Sequence, residues 1–236
     1  MIGYIVTSAI NTRFGVFDTD TRLQQTIDTI TSIKARDRNA HITLVEMAAV
    51  PLTDAQKAEL NKHIDILIDF TNDDVVRRIS LSDNWDIVKN ATEMLCFRHA
   101  LKLIQGSPDS YVGVDRFVKV SGRYKLNENY KPAMFKKVKD KIVFAKRKQS
   151  QFDPKVTGGQ SEQFMSRCWS FPAAKIADIE TQFYNMIKRM ETALQFGGYL
   201  DIEHLLCMFT DPTLVHEVNT IGVEGLIGPN GVQVKD

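Results

Sequence analysis

The run Asp115-Arg116-Phe117-Val118-Lys119-Val120-Ser121-Gly122-Arg123-Tyr124 decides how the rest of the chain is read. Phe117 to Tyr124 has the composition of a buried strand and turn, yet it carries Lys119 and Arg123. Charges in such a place imply that something anionic meets them. Gly122 lets a backbone approach a ligand closely, Ser121 offers a hydroxyl to a phosphate oxygen, and Arg123 offers a planar fork that grips one. A diphosphate is a natural anion for this set; solvated charges on a sheet-edge strand are the plainer alternative.

Towards the N-terminus, strand and helix patterns alternate. Ile2 to Val6 is apolar and β-rich and leaves through the polar residues Thr7, Ser8, Asn11 and Thr12, as a parallel strand does where it meets a ligand crevice. No basic region precedes this run, so it reads as a strand and not a signal peptide. From Thr21 to Lys34, Leu23, Ile27, Ile30 and Ile33 fall at helical spacing, Arg22, Gln24, Gln25 and Asp28 take other faces, and Thr19 or Asp20 is the expected N-cap. His41 to Ala48 follows as a strand with Glu46 near its end, Thr53 to Lys62 as a helix, and Ile64 to Phe70 as a third strand. Asn84 to Ile104 reads as a long helix closed by Gly106-Ser107-Pro108, and Phe117 to Leu126 returns to strand. Such alternation predicts an α/β fold with a mostly parallel sheet and right-handed crossovers. Ligands then bind beyond the C-terminal strand ends, where Thr7, Ser8, Glu46 and Ser121 to Tyr124 converge.

Beyond Tyr124 the pattern changes. Lys141 to Lys146 and Phe164 to Trp169 read as strands, and Pro172 opens a helix carrying Ile176, Ile179, Phe183, Met186 and Met190 that ends at Gly197-Gly198. A short helix spans Ile202 to Phe209. Val215 to Val234, with Gly222, Gly225, Gly228, Pro229 and Gly231, reads as a closing strand and turn. One domain over 1–236 is expected, with a C-terminal elaboration of helix and strand.

Composition sets the outer bounds. Apolar content of 43% and charged content of 25% are ordinary globular values, and no stretch approaches the ~18 uninterrupted apolar residues of a membrane span. A soluble protein is expected. Cys96, Cys168 and Cys207 are odd in number and lack Cys-x-x-Cys spacing, which fits a reducing cytoplasm better than a disulfide framework or a zinc clip. The net charge is only +1, but eight basic residues crowd the segment from Lys131 to Lys148, interleaved with Phe135 and Phe144. That run is read as a solvated hairpin in preference to a nucleic-acid groove. Absence of a P-loop and of Gly-x-Gly-x-x-Gly after a strand speaks against kinases and dehydrogenases.

Several C-terminal residues could carry chemistry. Asp201 and Glu203 open the short helix, where acids also serve simply as caps and dipole partners. His204 beside them is a weak metal candidate, since a lone His with two acids lacks metal-site spacing. Trp169 and Phe171 could stack on a sugar, although core packing is the commoner use of such rings. Glu224, flanked by Gly222 and Gly225, is read first as a turn residue and second as an acceptor ligand.

The order of these segments resembles GT-A glycosyltransferases, the nucleotide-diphospho-sugar transferase fold. Thr21 to Ile33 resembles their first helix and His41 to Glu46 their second strand. Asn84 to Leu103, with Lys89-Asn90-Ala91-Thr92-Glu93, resembles the helix before the metal-binding turn. Lys119 to Tyr124 resembles the Lys-x-Ser/Thr-Gly-Arg-Tyr version of that turn in a bacterial and phage branch. The likeness covers about the first 125 residues in order, with a looser C-terminal match.

The resemblance implies transfer of a sugar from a nucleotide-diphosphate donor to a glycan or other hydroxyl acceptor, in surface-glycan synthesis. A nucleotide-sugar-binding half is implied over 1–126 and an acceptor-binding half over 127–236. Donor contacts are expected from Thr7, Ser8, Arg13, Glu46, Lys89 and Asn90, and from Lys119, Ser121, Gly122, Arg123 and Tyr124 around the diphosphate; acceptor contacts are expected from Trp169 and Glu224. Asp201-Ile202-Glu203-His204 looks like the acidic motif that supplies the acceptor-side base in inverting relatives, with Glu203 as the base and Asp201 and Arg123 completing the catalytic set. Where relatives hold Mn or Mg with Asp-x-Asp, this chain has Ser121-Gly122-Arg123, so Lys119 and Arg123 are expected to supply part of the metal's charge. A non-catalytic nucleotide or glycan binding module on the same sheet is the alternative, and a nucleotidyltransferase a third reading.

Overall fold

A computed structural model describes residues 1–226 and 231–235. Gly228 and Pro229 of the expected closing turn lie outside the described residues. The first half alternates as anticipated: β1 (Ile2–Ser8), α1 (Thr19–Arg36), β2 (His41–Glu46), α2 (Asp54–Asn61) and β3 (Ile66–Asp69), then α3 (Asp74–Ile79), α4 (Trp85–Gly106) and β4 (Arg116–Ser121). Asp18 caps α1, one residue before the expected Thr19, by accepting from Thr21 N at 2.7 Å. Thr53 and Gln56 close a capping box on α2, and Asn84 caps α4. The short α3 was not evident in the sequence, where six residues hold too few apolar positions to show a period.

The strand expected over Phe117 to Leu126 breaks in two. β4 stops at Ser121, the chain turns through Gly122 and Arg123, and β5 (Tyr124–Leu126) joins a different sheet. Beyond it come β6 (Ile142–Ala145), β7 (Lys148–Gln149), β8 (Glu162–Gln163), β9 (Cys168–Pro172), α5 (Ile176–Gln195), α6 (Ile202–Phe209), β10 (Val215–Val218), β11 (Val223–Leu226) and β12 (Gln233–Lys235). β9 therefore lies later than the expected Phe164 to Trp169. Pro172 leads into a 3-10 turn at Ala173–Lys175 before α5 begins.

Seven strands form the main sheet in the order β10-β6-β9-β4-β1-β2-β3, and β9 alone runs against the rest. This is the mostly parallel α/β sheet expected. β12, β11 and β5 make a small antiparallel sheet beside it. No helix among the described residues is long and apolar enough to cross a membrane.

Alternation along the strands sorts side chains to two faces. Tyr4 and Val6 of β1, with Val118 and Val120 of β4, pack beside Ile30 and Ile33 of α1. Ile5 and Phe117 take the opposite face with residues of α4, α5 and α6. Trp169 is 1% exposed there, its ring 5.7 Å from Phe97, 5.4 Å from Phe144 and 5.4 Å from Phe171. Burying a ring of this size contributes ~2–3 kcal/mol over leaving it in water. Trp169 thus belongs to the core, and the acceptor-platform expectation is corrected.

The basic run is divided by the same topology. Arg116, at the start of β4, donates to the carbonyls of Val138, Lys139 and Lys141, so Lys136 to Lys141 gather at the N-terminal edge of the sheet. Lys146 to Lys148 follow the C-terminal end of β6, where Arg147 is taken up by Glu217 at 2.6 Å and Glu162 at 3.2 Å. A single cationic patch does not form.

Candidate active site

β2 and β3 lie on one side of β1 and β4 on the other, so the chain reverses its direction of build across the β1–β4 boundary. A crevice opens where such a reversal occurs, beyond the C-terminal ends of the two strands. A cavity of about 560 Å³ occupies that position, lined by Thr7, by Asn11 to Gly15, by residues of α3 and α4, and by Ser121 and Arg123. Gly122 and Ser8 border a small recess behind it.

The turn after β4 is built tightly. Gly122 N donates to the Thr7 carbonyl at 2.7 Å, and a Cβ at Gly122 would stand 3.1 Å from that same oxygen. Glycine therefore permits the close seat that aims Arg123 into the crevice. Arg123 Nε is buried with no hydrogen-bond partner among the described residues. A buried guanidinium N–H without an acceptor is costly unless a ligand supplies one.

Arg22, which helical spacing places off the apolar face of α1, lies in the first turn of that helix and meets this site. Its guanidinium donates to the carbonyls of Phe17 at 3.2 Å, Ala9 at 3.3 Å and Phe14 at 3.0 Å, and so holds the loop after β1. Burial, with the positive charge of Arg123 adding to it, lowers the Arg22 pKa to about 10. Arg13, Arg77 and Lys89 also line the cavity. Arg13 reaches across its mouth to the Ser80 carbonyl at 2.8 Å and to Asp83 at 3.4 Å.

Against these cations the lining offers one carboxylate, Glu93 of α4. Lys119 donates to it, and also to Ser121 Oγ at 2.7 Å and the Ser166 carbonyl at 2.8 Å. Burial pushes the Glu93 carboxyl up, but the Lys119 ammonium outweighs it and holds the pKa below the ordinary value. Lys119 is 1% exposed and fully engaged, so it lies beneath the cavity and does not face it. The expected role of Lys119 as a donor-facing cation is corrected: it positions Ser121 and neutralises Glu93.

Other expected donor residues are structural as well. Glu46 is buried, accepting from Ser8 Oγ at 2.5 Å, Ile10 N at 3.0 Å and Ala48 N at 3.0 Å, which ties the loops after β1 and β2 together. Burial raises its pKa, and those donors restrain the rise. Asn90 joins α4 to α6, donating to Tyr199 Oη and accepting from Ile202 N. Tyr124 packs in the core with Arg167 5.5 Å from its ring centre. Thr7, Arg13, Lys89, Ser121 and Arg123 remain in the cavity wall.

Asp201 caps α6, accepting from Glu203 N and His204 N at 2.9 Å each. His204 is fully buried, with Nδ1 2.7 Å from Asp201 Oδ1 and Nε2 2.7 Å from Ser150 Oγ. Both ring nitrogens are engaged, so no lone pair is left for a metal, and the His204 metal expectation is corrected. Glu203 Oε1 accepts from Ser166 N and Ser166 Oγ at 3.1 Å each. Burial and the Asp201 charge raise its pKa. Glu203 stands outside the cavity lining but is joined to it through Ser166, Lys119 and Ser121. Glu224 sits on β11 with Lys235 3.5 Å away, in a strand and not a turn, and away from the cavity lining.

Hard divalent cations need several carboxylate or carbonyl oxygens. Among the described residues no group of three His, Cys, Asp or Glu is placed to hold a metal, and the lone carboxylate of the lining is committed to Lys119. The residues present do not fit a resident Mn or Mg ion.

No family model matches the chain, and no curated protein matches it in sequence. Among solved structures, the galactosyltransferase LgtC in complex with donor and acceptor sugar analogues is 12% identical with a TM-score of 0.51, over 92% of this chain and 73% of that one. The bifunctional glycosyltransferase WbbM in its apo form is 12% identical with a TM-score of 0.50, over 92% of this chain and 38% of that one. At such identities the likeness speaks for the fold alone: the chain has a GT-A-like α/β fold whose mostly parallel seven-stranded sheet opens its crevice between β1 and β4.

Proposed function

We propose that the chain is a glycosyltransferase of the branch with a Lys-x-Ser-Gly-Arg-Tyr turn, moving a sugar from a nucleotide-diphosphate donor to a hydroxyl acceptor. The observation that carries this reading is Arg123, whose buried Nε has no partner at the C-terminal end of β4. A diphosphate laid across the crevice supplies the missing acceptor, with Ser121 beside it and Arg13 and Lys89 at the wall. Residues 1–126 then form the donor half and 127–236 the acceptor half. Glu203 is the base in this reading. Its raised pKa keeps it proton-avid and Ser166 pins one oxygen, so in this reading the carboxylate takes the acceptor proton as the hydroxyl attacks the anomeric carbon and the bond to the departing nucleoside diphosphate breaks. Asp201 positions it through the α6 cap.

Thermal shift with UDP-, GDP-, CMP- and dTDP-sugars, followed by assay of nucleoside diphosphate release with candidate acceptors, tests the proposal. One donor is expected to stabilise the fold and to turn over. Stabilisation without turnover for any acceptor identifies a binding module instead, and no stabilisation by any donor removes the reading.

A further inference from the structure

Resting on the donor reading above, we propose that this cavity binds the diphosphate without a divalent cation, using the guanidinium groups of Arg22 and Arg123 as its counter-charge. Three features of the wall carry the inference. First, Arg22 is locked by three loop carbonyls and lines, together with Arg123, both the cavity and the recess behind it. Neither makes a salt bridge with a carboxylate among the described residues, and the nearby buried acids, Glu46 for Arg22 and Glu93 for Arg123, act on them only at longer range. Two like charges held together in a poorly hydrated recess raise the energy of the empty site, and a bound dianion relieves that repulsion.

Second, the carboxylate that a metal would need is already occupied. Glu93 is held by Lys119, with Thr7 Oγ1 also donating to it at 3.4 Å. A divalent ion would have to displace a buried ammonium, whose loss from such a pair is strongly unfavourable. It would also meet Arg13, Arg22, Arg77, Lys89 and Arg123 on the surrounding wall. Third, the glycine seat against the Thr7 carbonyl fixes the backbone from which Arg123 enters the cavity wall.

Calorimetric titration of inorganic pyrophosphate, then of UDP, GDP, CDP and dTDP, in EDTA and again in excess Mn, decides the matter. Pyrophosphate and one nucleoside diphosphate are expected to bind in EDTA with affinities within about twofold of those in Mn. Arg123→Gln is expected to lose about 10- to 100-fold in EDTA, the value of a charged hydrogen-bonding contact. Its urea midpoint should not fall, because Arg123 Nε makes no hydrogen bond among the described residues and loss of the charge relieves its repulsion with Arg22. Binding that requires Mn overturns the inference and leaves the transferase reading standing. Pyrophosphate binding in EDTA with no response to any nucleotide or nucleotide sugar supports the inference and overturns the transferase reading. Absence of binding in every condition overturns both.

Discussion

Lys119 and Glu93 form the buried pair on which the site floor rests. Replacing one partner strands the other charge, and Lys119→Met is expected to cost about 3–5 kcal/mol in urea denaturation. The double variant Lys119→Met with Glu93→Gln should recover most of that loss, since no uncompensated charge then remains. At Glu203 the expected signature lies in catalysis. A base must be deprotonated to act, so the transfer rate should climb with pH through a pKa above the ~4.3 of a free glutamate. Glu203→Gln should cut the rate by about 10²- to 10⁴-fold and abolish that limb while leaving donor affinity unchanged. Initial-rate profiles between pH 4 and 8 check this. At this scale the sequence showed the residue types but not their partners. Lys119 and Arg123 look alike in the chain, yet one faces α4 and an acid while the other turns into a crevice.

At the level of elements, the boundaries that could be read were those set by local chemistry. Thr53 with Gln56, Asn84 before α4, and Asp201 before α6 all cap as short-range rules require, because donor and acceptor lie within three residues. The turn at Ser121-Gly122-Arg123 could be read, but not that Tyr124 to Leu126 leaves the main sheet for a second one, which depends on Gly122 docking against Thr7 and on pairing with β11. For α6, Asp201→Ala is expected to cost about 1–2 kcal/mol, with Asn recovering much of it as an equally good cap. Burial pushes the Asp201 pKa up, but its bonds to His204 bring it below the ordinary value. The folded pKa is therefore lower than the unfolded one of about 3.9, so this stabilisation is complete above the unfolded pKa and fades as pH falls through the folded one. Asp201→Asn should flatten that acid limb in urea midpoints taken from pH 7 to pH 3.

Over the whole molecule, sheet topology separates charges that the chain keeps together. Lys136, Lys137 and Lys139 lie at the N-terminal edge of the sheet and the cavity at the opposite edge. A strand of this length spans roughly 17–20 Å, about two Debye lengths at physiological salt. Changing all three lysines to Glu should leave pyrophosphate affinity within about twofold, measured by the same calorimetry.

Apolar periodicity, caps and the alternation of strand with helix were enough to set the α/β class and the end of the sheet where the cavity opens. Those signals arise between residues a few positions apart and survive without knowledge of the fold. The identity of the cations that line the cavity came only with the tertiary structure. Lys119 meets Glu93 across 26 positions and Thr7 meets the same carboxylate across 86. Arg22 reaches the site because α1 packs against the turn that carries Arg123. Whether a charge at the sheet edge is neutralised or left for a ligand depends on which distant side chain folding brings beside it, and no local pattern encodes that.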